Sequence, residues 1–159
     1  MKKYVPPLLL FLFLLTGCGG SDIRTSISET LCVNLSNTSI LISENSHGGF
    51  HGDGETFVVL EFPADTPFEC PESDFWHGLP LEENTRRLLY EFDTAFLRDE
   101  EGHPRIPEVT NGCWFFYDRH SQSLSPFDDA GLFSQASFNR TIALYDADTN
   151  LLYFYELDT

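Results

Sequence analysis

Two apolar runs, Phe138 to Tyr145 and Leu151 to Leu157, flank Asp146-Ala-Asp-Thr-Asn150 and constrain the fold of this chain more than any other stretch. Runs of this length, rich in β-branched and aromatic residues, read as strands, and five turn-favouring residues between them make the pair a β-hairpin. Leu151, Tyr153, Tyr155 and Leu157 alternate with Leu152 and Phe154, so both faces of the second strand are apolar. Such a strand belongs within a sheet or beneath a helix. A third run, Cys113-Trp-Phe-Phe-Tyr117, has no alternation, which is the pattern of a strand covered on both faces and predicts a central position.

Further strand signals lie upstream. From Leu31 the chain reads LCVNLSNTSILISE and, after a glycine-rich break, Thr56-Phe-Val-Val-Leu-Glu-Phe62. Ile40 to Ser43 and Phe57 to Phe62 are expected to pair as an antiparallel hairpin through a loop too long for a tight turn. Residues 63–78 hold Pro63, Pro67 and Pro71, each of which removes a donor and fixes φ, and read as an irregular crossing. One helix is then predicted, because Leu81, Thr85, Leu88, Leu89 and Phe92 form a stripe at helical spacing. Pro80 suits its first turn, and Glu82 and Glu83 sit at the positive end of the dipole, four residues before Arg86 and Arg87. Gly102, Pro104 and Pro107 leave 93–111 as loop. These elements predict an α+β fold, mainly an antiparallel sheet with one principal helix packed on a face, in a single globular domain over 31–159.

The N-terminus carries a different signal. Lys2 and Lys3 precede an apolar run from Leu8 to Leu15, followed by small residues, the layout of a secretory signal. The 14 residues from Tyr4 to Gly17, interrupted by Pro6 and Pro7, fall short of a membrane-spanning helix, which needs roughly 20 apolar residues. Leu15-Thr16-Gly17-Cys18 resembles the lipobox of bacterial lipoproteins. That resemblance implies a signal peptide over 1–17 and an acyl lipid such as palmitate on Cys18. It also implies a lipidated cysteine and flexible spacer over 18–30, and an extracytoplasmic domain tethered to the membrane. Gly19 in place of aspartate after Cys18 resembles the pattern of outer-membrane lipoproteins where the source has two membranes; with one membrane the domain faces outward from the cell.

Removal of 17 residues leaves 142, ample for one core. Lys2 and Lys3 are the only lysines, so the mature part sets seven arginines against 25 carboxylates, a formal charge of −18. Such a surface repels phosphate backbones and anionic headgroups, which excludes nucleic acid and polybasic membrane docking as partners. Fifteen phenylalanines, six tyrosines and two tryptophans argue against a disordered acidic chain. Beyond Cys18, the cysteines Cys32, Cys70 and Cys113 allow at most one internal bridge, with the three pairings open. Cys32 and Cys113 lie in strand-like apolar runs, where a free cysteine behaves as a small buried hydrophobe.

Polar chemistry gathers in two places. His47-Gly-Gly-Phe-His51-Gly-Asp53-Gly-Glu55 brings two imidazoles and two carboxylates together in a glycine-rich loop. With His120, the residues His47, His51 and Asp53 make a mixed nitrogen and oxygen set suited to Zn²⁺. Its spacing matches no structural zinc motif, and a solvent-exposed hairpin loop accounts for the same residues. Asp118-Arg119-His120-Ser121 follows directly on an apolar strand, but neighbours in a strand point to opposite faces, so proximity alone makes no nucleophilic triad. Asp146 to Asn150 begins like a calcium loop, yet Leu151 stands where glycine is required and Leu157 where a bidentate Glu is needed.

HGGFHGDG, YDRHS and the closing YDADTNLLYFYELDT together are similar to a group of small bacterial lipoproteins of unknown function. That resemblance brings no activity with it. The expected role is a lipid-anchored, non-catalytic binding module for a protein or small ligand; the alternative is a divalent-metal protein or metal-dependent enzyme built on the loop from His47 to Glu55.

Overall fold

The computed structural model describes residues 22–48, 52–119 and 125–159. Six strands form one sheet: β1 (Ser39–Asn45), β2 (Gly54–Glu61), β3 (Trp76–Gly78), β4 (Gly112–Asp118), β5 (Asn139–Asp146) and β6 (Leu151–Asp158). Their order is β1-β2-β6-β5-β4-β3, and every pairing is antiparallel. Two short helices, α1 (Ile23–Leu31) and α2 (Glu83–Tyr90), and a 3₁₀ turn at Asp129–Gly131 complete the elements. The fold is α+β and mainly sheet.

Both expected hairpins form. β1 pairs with β2 from Ser39↔Glu61 to Asn45↔Thr56, with a register shift between Ile40 and Ile42. β5 pairs with β6 from Asn139↔Asp158 to Asp146↔Leu151. At the tip of the second hairpin Asp146 accepts from Asp148 N at 2.9 Å and from Thr149 Oγ1 at 2.7 Å, while Asn150 takes the left-handed conformation, φ 58°. Asparagine tolerates that region better than most side chains. The carboxylate of Asp146 is thus spent on the turn.

The interior strands feed two buried clusters from alternate residues. Phe57, Val59, Trp114, Phe116, Ile142, Leu144, Tyr153 and Tyr155 share one cluster with Leu88, Leu89, Leu97 and Ile106. Val58, Leu60, Phe115, Ala143, Leu152 and Phe154 share the other with Ile27, Leu31 and Leu35. Each large side chain taken from water contributes about 1.5 to 3 kcal/mol, and a sheet buried on both sides explains why Cys113 to Tyr117 shows no alternation. β4 is not central, however. It lies between β5 and the three-residue edge strand β3. Two covered faces set the sequence pattern, and they do not require two long neighbours.

The N-terminal part departs from the expected spacer and strand. Within 18–30, Ile23–Leu31 is helical, with Ile27 and Leu31 buried. Asp22 caps it by accepting from Arg24 N at 3.2 Å, and Cys32 closes it in the left-handed conformation, φ 55°. Ile23, Ile27 and Leu31 recur every fourth residue, a one-sided stripe thin enough to be lost among Ser and Thr. Among the described residues there are therefore two helices, of 9 and 8 residues, where one principal helix was expected. The residues after Leu31 turn, with Leu35 buried, and β1 starts only at Ser39.

The cysteines also differ from expectation. Cys113 is bonded to Cys70, 43 residues earlier, and Cys32 is free and exposed. Closing a loop of that length removes conformational freedom from the unfolded chain worth on the order of 4 kcal/mol. The bridge ties the proline-rich crossing to β4.

Candidate functional site

His47, which opens the glycine-rich stretch, lies over the ends of β2 and β6. Gly54 pairs with Asp158, and a Cβ on Gly54 would lie 2.7 Å from His47 N, so only glycine lets the loop pass this close. His47 N donates to Asn45 Oδ1 at 2.7 Å. On the ring, Nε2 lies 3.1 Å from Asp158 Oδ2, and Nδ1 lies 3.1 Å from Thr56 Oγ1 and 3.2 Å from Asn45 Oδ1. A carboxylate only accepts, so Nε2 carries a proton toward Asp158, while Nδ1 faces both the Thr56 hydroxyl and the Asn45 amide oxygen.

Beside it runs a row set by strand register, Thr56↔Glu156↔Thr141. Arg119 joins this row from the end of β4, bonding Thr141 Oγ1, Glu156 Oε1 and Asp158 Oδ1. One guanidinium thus neutralises two carboxylates that would otherwise repel across a two-residue step, and the charge-assisted bonds are of the stronger kind. The hydroxyl, imidazole and carboxylate of Thr56, His47 and Asp158 stand in the order of a nucleophilic triad. Thr56 is 3 % exposed, however, so its hydroxyl is shielded from solvent in this arrangement. The arrangement holds His47 against the end of the sheet.

Asp118 points the other way. It accepts from Gln135 Nε2 at 2.7 Å and lies 3.9 Å from Arg140 Nε. Arg140 is 1 % exposed, lies over the Phe138 ring at 4.2 Å and donates to Leu132 O. Burial pulls its guanidinium down to about 10, against the opposing pull of Asp118, so the side chain stays cationic at neutral pH. Neighbours in sequence, Asp118 and Arg119 serve opposite faces, as strand geometry requires.

Of the residues suited to Zn²⁺, His47 has both ring nitrogens hydrogen-bonded and Asp53 is exposed. His51 and His120 lie outside the described residues, as does Cys18. Among the described residues, the groups whose ligand atoms converge are Asp99, Glu101 and His103, and Glu82, Asp128 and Asp129. Neither includes His47 or Asp53. In the second group the Glu82 carboxyl is pushed up from the usual range, first by burial and then by the hydrogen bond and negative charge of Asp129.

The other candidate is an open cleft of about 820 Å³ between the turn after α1 and the proline-rich crossing. Its walls include Asn37, Thr66, Phe68 and Glu69, with Asn37 Nδ2 donating to Thr66 Oγ1 at 3.2 Å. Phe68 packs 5.1 Å from Phe62, 5.2 Å from Trp76 and 5.0 Å from Tyr145, so the floor is a rigid aromatic cluster. Glu69 and Glu72 bring negative charge to the rim, and no arginine lines it. All seven arginines of the chain already bond an acidic group or a backbone oxygen. The cleft therefore suits a cation or a neutral polar group with an apolar face, and repels an anion. Sequence inspection missed it because its walls come from segments some 30 residues apart, joined only by folding.

No helix among the described residues is long and apolar enough to cross a membrane. Comparison with protein-family models, with curated proteins and with solved structures finds no match to this chain.

Proposed function

We propose that the chain is a lipid-anchored extracytoplasmic binding module, acylated on Cys18, that holds an ammonium-bearing ligand in the cleft beside α1 without catalysis. The observation that carries this reading is the cleft itself, where the aromatic floor at Phe68 meets the carboxylates of Glu69 and Glu72. A cation over an aromatic face with a carboxylate at the rim gains from both interactions. The Cys70–Cys113 bridge supports export, because disulfides persist in oxidising compartments. In this reading α2 is the principal helix covering one face of the sheet through Leu88 and Leu89, which leaves the opposite side for the cleft.

Spermidine titrated onto the full chain in detergent tests the cleft: saturable binding, weakened by salt and lost in Glu69→Gln/Glu72→Gln, is expected. A neutral trisaccharide binding where spermidine does not would replace the cationic ligand with a neutral one, and binding of neither would remove the cleft as a site. The anchor is tested separately by a palmitate probe, whose incorporation should be lost in Cys18→Ala.

A further inference from the structure

The sheet has one long edge that no other strand among the described residues covers. β1 (Ser39–Asn45) is outermost at one end of the strand order and pairs only with β2, whereas the other end closes on the three-residue β3. An open edge is usually guarded by lysine, proline or charge. β1 has neither lysine nor proline, and its single charge, Glu44, is neutralised by Arg105, whose Nη1 and Nη2 lie 2.6 and 2.9 Å from the two carboxylate oxygens. Ile40 and Leu41 are 39 % and 52 % exposed, two of the three exposed large apolar side chains among the described residues.

The strand reads Ser39-Ile40-Leu41-Ile42-Ser43, the same in both directions. An antiparallel pair of such strands, related by a two-fold axis at Leu41, sets Ser39 of one copy opposite Ser43 of the other, Ile40 opposite Ile42, and Leu41 opposite its own equivalent. Like apolar and β-branched residues facing one another across a ladder are what stabilises an antiparallel pair. The stretch is also uncharged in a chain with 25 carboxylates, so two copies that repel elsewhere meet here without like charges opposed. The register shift between Ile40 and Ile42 leaves Leu41 without a partner on β2. That irregularity falls on the axis, and the residues on either side of it keep ordinary strand pairing.

We propose that β1 is a docking edge for a second copy of this chain, the two sheets joining antiparallel about Leu41 into one continuous sheet. The symmetry uses both open edges, and the three-residue β3 offers no comparable second one, so assembly stops at two copies instead of growing into fibres. Seven residues make a ladder roughly 24 Å long. One ladder of that length falls short of the ~1,200 Å² of a stable interface, so the dimer is a weak, exchanging one. Because the remaining surface repels, salt tightens it, the opposite of its effect on a cation held in the cleft.

Disulfide trapping of the full chain in detergent tests the edge and its register, with Cys18→Ser and Cys32→Ser in every sample so that neither native thiol takes part. Leu41→Cys should give a covalent dimer under a mild oxidant, and a mixture of Ser39→Cys chains with Ser43→Cys chains should do the same. Either of the last two alone places its cysteines four residues out of step, roughly 14 Å apart, and should cross-link about fivefold less because a disulfide cannot span that gap. Absence of the Leu41→Cys dimer overturns the proposal, as does equal trapping of Ser39→Cys alone, which would report chains crowded in one micelle. Sedimentation of chains without introduced cysteines supplies a second measurement: a dimer fraction that rises with salt and falls about tenfold in Leu41→Lys is expected, since an edge lysine opposes strand addition. Leu41 is exposed, so the urea midpoint of that variant should stay at the wild-type value. A monomer at every concentration and salt, or a dimer indifferent to Leu41→Lys, overturns the docking edge.

Discussion

Asp129 caps α2 from 44 residues away: its Oδ2 accepts from Thr85 N at 2.6 Å and from Thr85 Oγ1 at 2.9 Å. Glu82, the residue at the helix's own cap position, makes no such bond. The cap therefore comes from the tertiary structure, and Asp129 is 4 % exposed where it does this. Asp129→Ala would leave the Thr85 amide and hydroxyl buried without an acceptor and should cost about 2 to 4 kcal/mol, read as a lower urea midpoint. Asp129→Asn keeps an acceptor and should cost clearly less. Equal losses in the two variants would show that charge, not capping, is what Asp129 supplies.

Burial first, and then the hydrogen bond and negative charge of Asp129, raise the pKa of Glu82. A carboxyl that holds its proton more tightly when folded contributes stability at pH below its unfolded value, and that contribution fades as pH rises through the higher folded value. Glu82→Gln should therefore flatten the fall in stability between about pH 4.3 and neutral and raise the melting temperature at pH 7. The side chain is exposed, so a small gain is expected. A variant less stable than wild type at pH 7 would contradict the repulsion.

Trp114 and Phe116 share the cluster on one face of β4, at 1 % and 0 % exposure. Trp114 Nε1 also donates to Gly78 O at 3.2 Å across to β3. Truncating either to alanine should cost about 3 to 5 kcal/mol, a large share of the roughly 5 to 15 kcal/mol available to a domain. Denaturant midpoints within error of wild type would place this strand outside the cooperative core.

His47 cannot ligate a metal without giving up a bond to Asp158 or to Thr56. Zn²⁺ titrated onto the full chain at pH 7.5 should therefore bind no more tightly to wild type than to His47→Ala, and His47→Ala should be less stable because it frees the loop from Asp158. Saturable one-to-one binding that disappears at pH 5.5 and in His47→Ala would instead install the metal reading, since imidazole ligates only when neutral.

Patterning along the chain was enough to determine the two hairpins, the doubly covered run at Cys113 to Tyr117 and the helix through Thr85, Leu88 and Leu89. Each rests on periodicity within a dozen residues, where backbone geometry alone dictates which side chains share a face. Ile23, Ile27 and Leu31 carried the same kind of signal for α1, but three apolar residues in a polar stretch define a helix only once there is a core for them to enter. Asp118 and Arg119 were adjacent in the sequence, and folding sent one to Arg140 and the other to Glu156 and Asp158. Tertiary structure alone decided which cysteine pairs with Cys113, where the cap of α2 comes from and which segments wall the cleft. Those are contacts between residues 29 to 44 positions apart, and no local regularity encodes a pairing whose energy is gained only after the chain between has been ordered.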